Sequence, residues 1–229
     1  MSSVATMSHG VRITSTWRLA ATWIGAAVIA VPLGVLLHEL GHFLAYWVFG
    51  FQGVALHYAS STHAVEQRLW QLVYSGNAAR AASLLPLWKV GLATTAGILA
   101  TYLVTIGCCI FAARKNPHPL VIALGIFAPV RFLSGISTIV TVLSGKPVLA
   151  QTDEAHLAIL TGIPLLLLNF AGLLVLVLAW IWLLRRIPKD HKWISLASLV
   201  TGLALGIFVY FSLLGPRLLP QGNEDGSLS

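Results

Sequence analysis

The sequence predicts an all-α polytopic membrane protein of about five transmembrane helices, with a short β strand or hairpin possible after the first. Three observations predict it. Of 229 residues, 57% are hydrophobic and only 9% are charged, against roughly 25% charged in a soluble domain. Five apolar runs each reach the about 20 residues that a helix needs to cross a hydrocarbon core. Lys and Arg outnumber Asp and Glu by 14 to 7, and they gather between the runs. This composition excludes a soluble enzyme, a nucleic-acid-binding domain and a disordered chain. The net charge of +7 reads as basic loops lying against anionic lipid, so the bilayer is a partner and nucleic acid is not.

The spans fall at about 19–49, 88–113, 119–143, 162–184 and 193–215 within one membrane-embedded domain, 19–215, flanked by tails 1–18 and 216–229. Arg114, Lys115 and Pro117 separate the second span from the third. Arg185, Arg186, Pro188, Lys189, Asp190 and Lys192 separate the fourth from the fifth. Arg12 and Arg18 before an apolar stretch resemble the start of a secretory signal. The apolar character runs on past Ala30, however, so an uncleaved first helix is expected. Eight basic residues on one side against five on the other favour a cytoplasmic N-terminus. Cys108 and Cys109 are neighbours inside a span; they read as packing residues, since adjacent cysteines rarely pair.

The first span carries His38-Glu39-Leu40-Gly41-His42. Two histidines four residues apart share one face of a helix, so both imidazoles can reach one metal ion. Zinc suits imidazole, and a catalytic zinc uses three protein ligands. Glu39 fits the general base that takes a proton from the attacking water. About eight apolar residues follow His42 before the run ends, or roughly 12 Å of helix. Ionisable groups at such depth are costly and normally functional. Gly41 leaves room for a neighbouring helix.

A third ligand has few candidates, because the chain holds only seven acids. Asp153 and Glu154 alone stand beside an apolar span, at the start of a helix expected near Thr152. Acids in a first helical turn are also favoured by the helix dipole. Asp153 is the expected third ligand, with Glu154 and His156 as alternatives; His156, one turn on, could instead support Asp153 from behind. Arg131 lies midway along the third span, after Pro129, and must pair with an acid or stabilise charge on a reacting carbonyl. Asn169 reads as an interhelical hydrogen-bonding residue. After the first span, Val54, Leu56 and Tyr58 alternate with smaller or polar residues, as in a strand that could bind an extended peptide at its edge; a surface loop is the other reading. His57 and His63 are expected on the solvent side.

His38 to His42 in a membrane helix, followed by Phe49-Gly50 and an alternating strand, resembles the site-2 protease family of intramembrane zinc metalloproteases. Ala96-Gly97-Ile98-Leu99-Ala100-Thr101 is similar to that family's second core helix, usually Ala-Gly-Pro-x-Ala-Asn. Lys146-Pro147 to Asp153 stands where the family has a proline-containing segment leading to its metal-binding aspartate. The resemblance covers roughly 32–161. Ile98 and Thr101 depart from it, as does Glu154 where Leu-Asp-Gly is common, and no inserted peptide-binding domain is present. It implies one zinc ion on His38, His42 and Asp153, catalysis by Glu39, and a membrane-protein substrate cut in or near its transmembrane segment. It also implies a motif helix running toward the cytosol, opposite to the basic-residue count.

Such a site needs a polar cavity within the helices. Gly91, Gly97, Gly107, Gly125 and Gly135 are expected to permit the close packing that encloses it. Two other readings stand beside the protease. One is a non-catalytic metal-binding membrane protein that regulates or scaffolds a partner. The other, with the least in the sequence to support it, is a metal-ion transporter.

Overall fold

A computed structural model describes residues 4–114, 117–145 and 152–219, with side chains from residue 16 onward. Among them, five helical segments are long and apolar enough to cross a membrane: Thr16–Val48, Leu87–Ala112, Pro119–Leu143, Leu165–Leu184 and Lys189–Leu218. The first belongs to helix α1 (Val4–Val48), which starts well upstream of its apolar part. The second is α4 (Leu87–Ala112) and the fourth α8 (Leu165–Leu184).

The third and fifth spans are composite. Pro129 cannot donate to a helical ladder; the third span therefore runs as α5 (Pro119–Phe127), a 3-10 turn (Ala128–Leu133) and α6 (Ser134–Leu143). The fifth runs as a 3-10 turn (Lys189–His191), α9 (Lys192–Val209), a π-helical turn (Tyr210–Leu214) and α10 (Gly215–Leu218).

Small residues set the helix contacts, as expected where lipid removes the hydrophobic incentive to associate. Gly202 and Gly206, one turn apart on α9, lie against α1. A methyl on Gly202 would come within 2.7 Å of Ala27 Cβ, and one on Gly206 within 2.8 Å of Val31 Cγ2. Of the five glycines expected to allow close packing, three do so: Gly97 against His42, Gly125 against Cys108, Gly135 against Asn169. Gly107 faces open space and Gly91 meets only Leu160 at 3.9 Å. On α4 the exposed row Leu99, Leu103, Ile106 and Ile110 follows the helical period and presents an apolar stripe to lipid. Cys108 and Cys109 are free thiols.

The connection from the first span to the second holds more structure than its sequence announces. Gly50, at φ +73°, ends α1 in the left-handed conformation that glycine adopts without penalty. A hairpin follows, β1 (Ala55–Leu56) antiparallel to β2 (Ser61–Thr62), with Ala55 opposite Thr62 and Leu56 opposite Ser61. Two short helices come next, α2 (Glu66–Tyr74) and α3 (Ala78–Leu84), the latter capped by Asn77 Oδ1 accepting from Arg80 N–H. Leu69, Trp70 and Val73 bury one face of α2 in a cluster with Tyr46 near the end of α1, Phe51 just beyond it, and Val90 and Ala93 at the start of α4. This cluster closes one end of the bundle.

Helix α7 (Asp153–Thr161) begins where expected, with the Thr152 hydroxyl capping Ala155 N–H, and Gly162 in the left-handed region ends it. It packs between α4 and α8. The Lys146-Pro147 segment compared with the family's proline-containing stretch lies outside the described residues.

Candidate metal centre

The histidine pair is aimed by helix α4. His38 Nδ1 donates to the Gly97 carbonyl at 2.8 Å, and His42 Nδ1 to the Ala93 carbonyl at 2.9 Å. Because a carbonyl can only accept, these bonds place the ring proton on Nδ1 and leave the Nε2 lone pair free for a metal. Residues 38 and 42 on α1 and residues 93 and 97 on α4 share the same four-residue spacing, so the two helices meet in register, carbonyl to imidazole. The Thr101 hydroxyl lies 3.0 Å from His38 Nδ1.

The crossing depends on glycine. A methyl on Gly41 would fall 2.7 Å from the Ala96 carbonyl oxygen, and one on Gly97 would overlap the His42 ring. Gly41 does leave room for a neighbouring helix, and that helix is α4.

Asp153, at the first turn of α7, completes the group. The two Nε2 atoms are 3.2 Å apart, and Asp153 Oδ2 is 3.2 Å from His38 Nε2 and 3.3 Å from His42 Nε2. Tetrahedral ligands held at about 2.0–2.1 Å from an ion are separated by about 3.3–3.4 Å. The near-equilateral triangle therefore fits a metal ion with one further coordination position open. His38, His42 and Asp153 can hold a metal ion, and they are the one such group among the described residues. Glu39 is outside it, its carboxylate 3.9 Å from His38 Nε2.

Arg131 follows the pairing alternative. Its Nη2 donates to Asp153 Oδ2 at 2.6 Å, and its Nη1 lies 3.4 Å from Glu154 Oε1. Burial alone would raise the Asp153 carboxyl. Without a metal on Nε2 the imidazoles can carry a second proton there, and hydrogen bonds from His38 and His42 in that form, with the charges of His42 and Arg131, outweigh burial, holding the group well below the usual carboxylate range. Glu154 is thus a buried counter-charge to Arg131, not a member of the ligand group. Nor is His156, whose ring stacks on Trp70. Asn169 Nδ2 donates to Leu165 O within its own helix, while Asn169 packs against Gly135 of α6.

His57 and His63 are not on the solvent side: both are buried. His57 Nε2 bonds the Thr62 hydroxyl across the hairpin at 2.9 Å. His63 packs edge-on against Tyr46 and Phe51, and neither of its ring nitrogens has a hydrogen-bond partner. Burial pushes its imidazole down to about 4. The Glu66 carboxyl is pushed up to about 7, first by burial, against the opposing pull of a backbone hydrogen bond from His63 and the charge of His42, with smaller raising contributions from Glu39 and Asp153.

Several contributors escape a motif search. Tyr46 extends the 38–42 stripe by one more turn, stacking at 6.4 Å from the His42 ring; that spacing was readable. Ser61 of β2 donates its hydroxyl to the Glu39 carbonyl at 2.7 Å, which ties the hairpin to the motif helix. Nothing local marks that serine. Comparison with protein-family profiles, with curated proteins and with solved structures found no match.

Proposed function

We propose that this chain is a zinc-dependent intramembrane endopeptidase of the site-2 protease kind, hydrolysing a peptide bond in or near a transmembrane segment of a membrane-protein substrate. The observation that carries the reading is the three-point donor set of His38, His42 and Asp153 with the Glu39 carboxylate beside it but outside it. The donor chemistry, two imidazoles and one carboxylate, matches catalytic zinc. When bound, zinc supplies Lewis acidity that polarises the scissile carbonyl and acidifies water. Glu39 takes a proton from the attacking water and delivers it to the leaving amine nitrogen. Ala93 and Gly97 hold the imidazole tautomers, and Arg131 keeps Asp153 ionised. α1 ends at Val48, six residues past His42, or about 9 Å of helix, so the site lies within reach of the surface from which water enters. A substrate helix must unwind there, because its carbonyls are already hydrogen-bonded. The hairpin clasped to Glu39 by Ser61 supports a place for the extended segment.

The test pairs zinc content with cleavage of a fluorescent transmembrane peptide of about 20 residues carrying a central helix-breaking Asn-Gly. Glu39→Gln is expected to keep about one zinc per chain and lose cleavage, and Asp153→Ala to weaken the metal. Cleavage by Glu39→Gln at the wild-type rate would overturn the reading.

One observation favours the scaffold alternative. The oxygen of Asp153 that faces the histidines also accepts from Arg131 at 2.6 Å, as in a closed structural ion cluster. That reading expects Glu39→Gln to preserve whatever the protein does and His38→Ala to abolish it.

A further inference from the structure

The third ligand stands on a weak foundation. Helix α7 has nine residues, too few to be stable in isolation, so the position of Asp153 is set by whatever α7 packs against. Arg131 holds its first turn through Asp153 and Glu154. One turn beyond Asp153, the His156 ring lies nearly parallel to Trp70 of α2, with centroids 3.7 Å apart and 12° between the planes. Tyr74, one turn further along α2, approaches the same imidazole at 5.9 Å. Trp70 is buried, fixed by the cluster that joins α2 to the ends of α1 and α4. Burial lowers the His156 imidazole, against the raising charge of Asp153, so the stacked ring is the neutral form.

We propose that Trp70 and His156 are positioning residues of the metal centre: the stack clamps α7 to the α2 cap and holds Asp153 Oδ2 within 3.2–3.3 Å of both imidazole Nε2 atoms. The connection after the first span thereby becomes part of the metal site although it supplies no ligand. The inference rests on Asp153 being a ligand, and its test separates the two claims.

Zinc affinity of the full chain in detergent, measured by competition with a chromophoric chelator and normalised to monodisperse protein, is compared for wild type, Trp70→Ala, Trp70→Phe, His156→Leu, the Trp70→Ala/His156→Leu double variant and Asp153→Ala. Aromatic stacking of this kind contributes about 0.5–1.5 kcal/mol, or about twofold to tenfold in Kd. Trp70→Ala and His156→Leu should each weaken zinc by that factor, the double variant no further than the weaker single, and Trp70→Phe should bind as wild type. A purely structural role predicts instead lower yield and melting temperature with unchanged Kd per folded chain. That result overturns the proposal, as do losses that multiply in the double variant. If Trp70→Ala yields no folded protein, His156→Leu and Trp70→Phe carry the comparison. Asp153→Ala binding as tightly as wild type would show that the ligand assignment had failed first.

Discussion

Gly97→Ala tests the metal centre with one methyl group. The added carbon would lie 2.6 Å from His42 Cδ2 and closer still to Nε2. Carbon atoms in contact prefer about 3.5–4.0 Å, so the ring must retreat by about 1 Å or more, or α4 must move away from α1. A retreat of the ring breaks the Ala93–His42 bond, and a shift of α4 breaks the Gly97–His38 bond as well, so the tautomer of His42 is released either way. A metal–nitrogen bond of about 2.0–2.1 Å does not survive such a displacement. Losing the partner that orients a ligand costs about 10–100-fold in metal affinity, so displacing the ligand itself should cost at least about 100-fold. Gly107→Ala is the control, because it adds the same methyl to the same helix in open space and should be neutral or stabilising by up to about 1 kcal/mol. The assay is zinc Kd by chelator competition, with size-exclusion profiles to confirm folding. Gly97→Ala protein that folds and binds one zinc with wild-type affinity would refute the placement of α4 against the histidines.

Arg131→Met leaves Asp153 and Glu154 without their counter-charge and should destabilise the metal-free protein by about 2–4 kcal/mol; added zinc should recover part of the loss, since it replaces one partner of Asp153, and thermal inactivation with and without zinc reads both. His63 is buried as a neutral ring with a folded value near 4, below the ordinary 6.5. Its contribution is therefore complete above pH 6.5 and lost as pH falls through 4, by about 3 kcal/mol for a shift of this size. His63→Phe should flatten that acid limb in melts run from pH 7 to pH 4. Gly202→Leu places a large side chain where even a methyl meets Ala27 at 2.7 Å. It should part α9 from α1 at a cost of about 1–3 kcal/mol, read as a lower melting temperature with zinc affinity per folded chain unchanged.

The spans were legible because apolar run length is a one-dimensional property, and the bilayer fixes its threshold. The histidine pair was legible because a helix turns a four-residue spacing into a shared face. Asp153 was reachable by elimination, acids being so few. The orienting carbonyls of Ala93 and Gly97 were not, since a backbone acceptor has no residue signature; only the glycine beside it leaves a trace. The helices after the hairpin were missed for a different reason. α2 is nine residues with three buried positions, too short for a periodic pattern to stand out from a polar loop. The burial of His63 escaped for a related reason: the rings that cover it, Tyr46 and Phe51, lie on either side of the turn that ends α1, and spacing alone does not bring them onto one residue.

Glu39 separates the hydrolase from the scaffold on energetic grounds. An ionised carboxylate within a membrane span costs about 2.5–3.5 kcal/mol, and Asp153 recovers such a cost through Arg131 and the imidazoles. Glu39 is buried, and His38 Nε2, 3.9 Å from its carboxylate, is beyond hydrogen-bond range. A protein that used the metal only to join helices would be relieved by an amide or an aliphatic side chain at this position. Glu39→Gln should therefore stabilise the zinc-loaded protein by about 1–2 kcal/mol, read as a higher melting temperature, while abolishing peptide cleavage, the opposition of stability and function expected at a catalytic group. A Glu39→Gln protein less stable than wild type would mean that the carboxylate holds the fold together, and the strongest physical argument for catalysis would be gone.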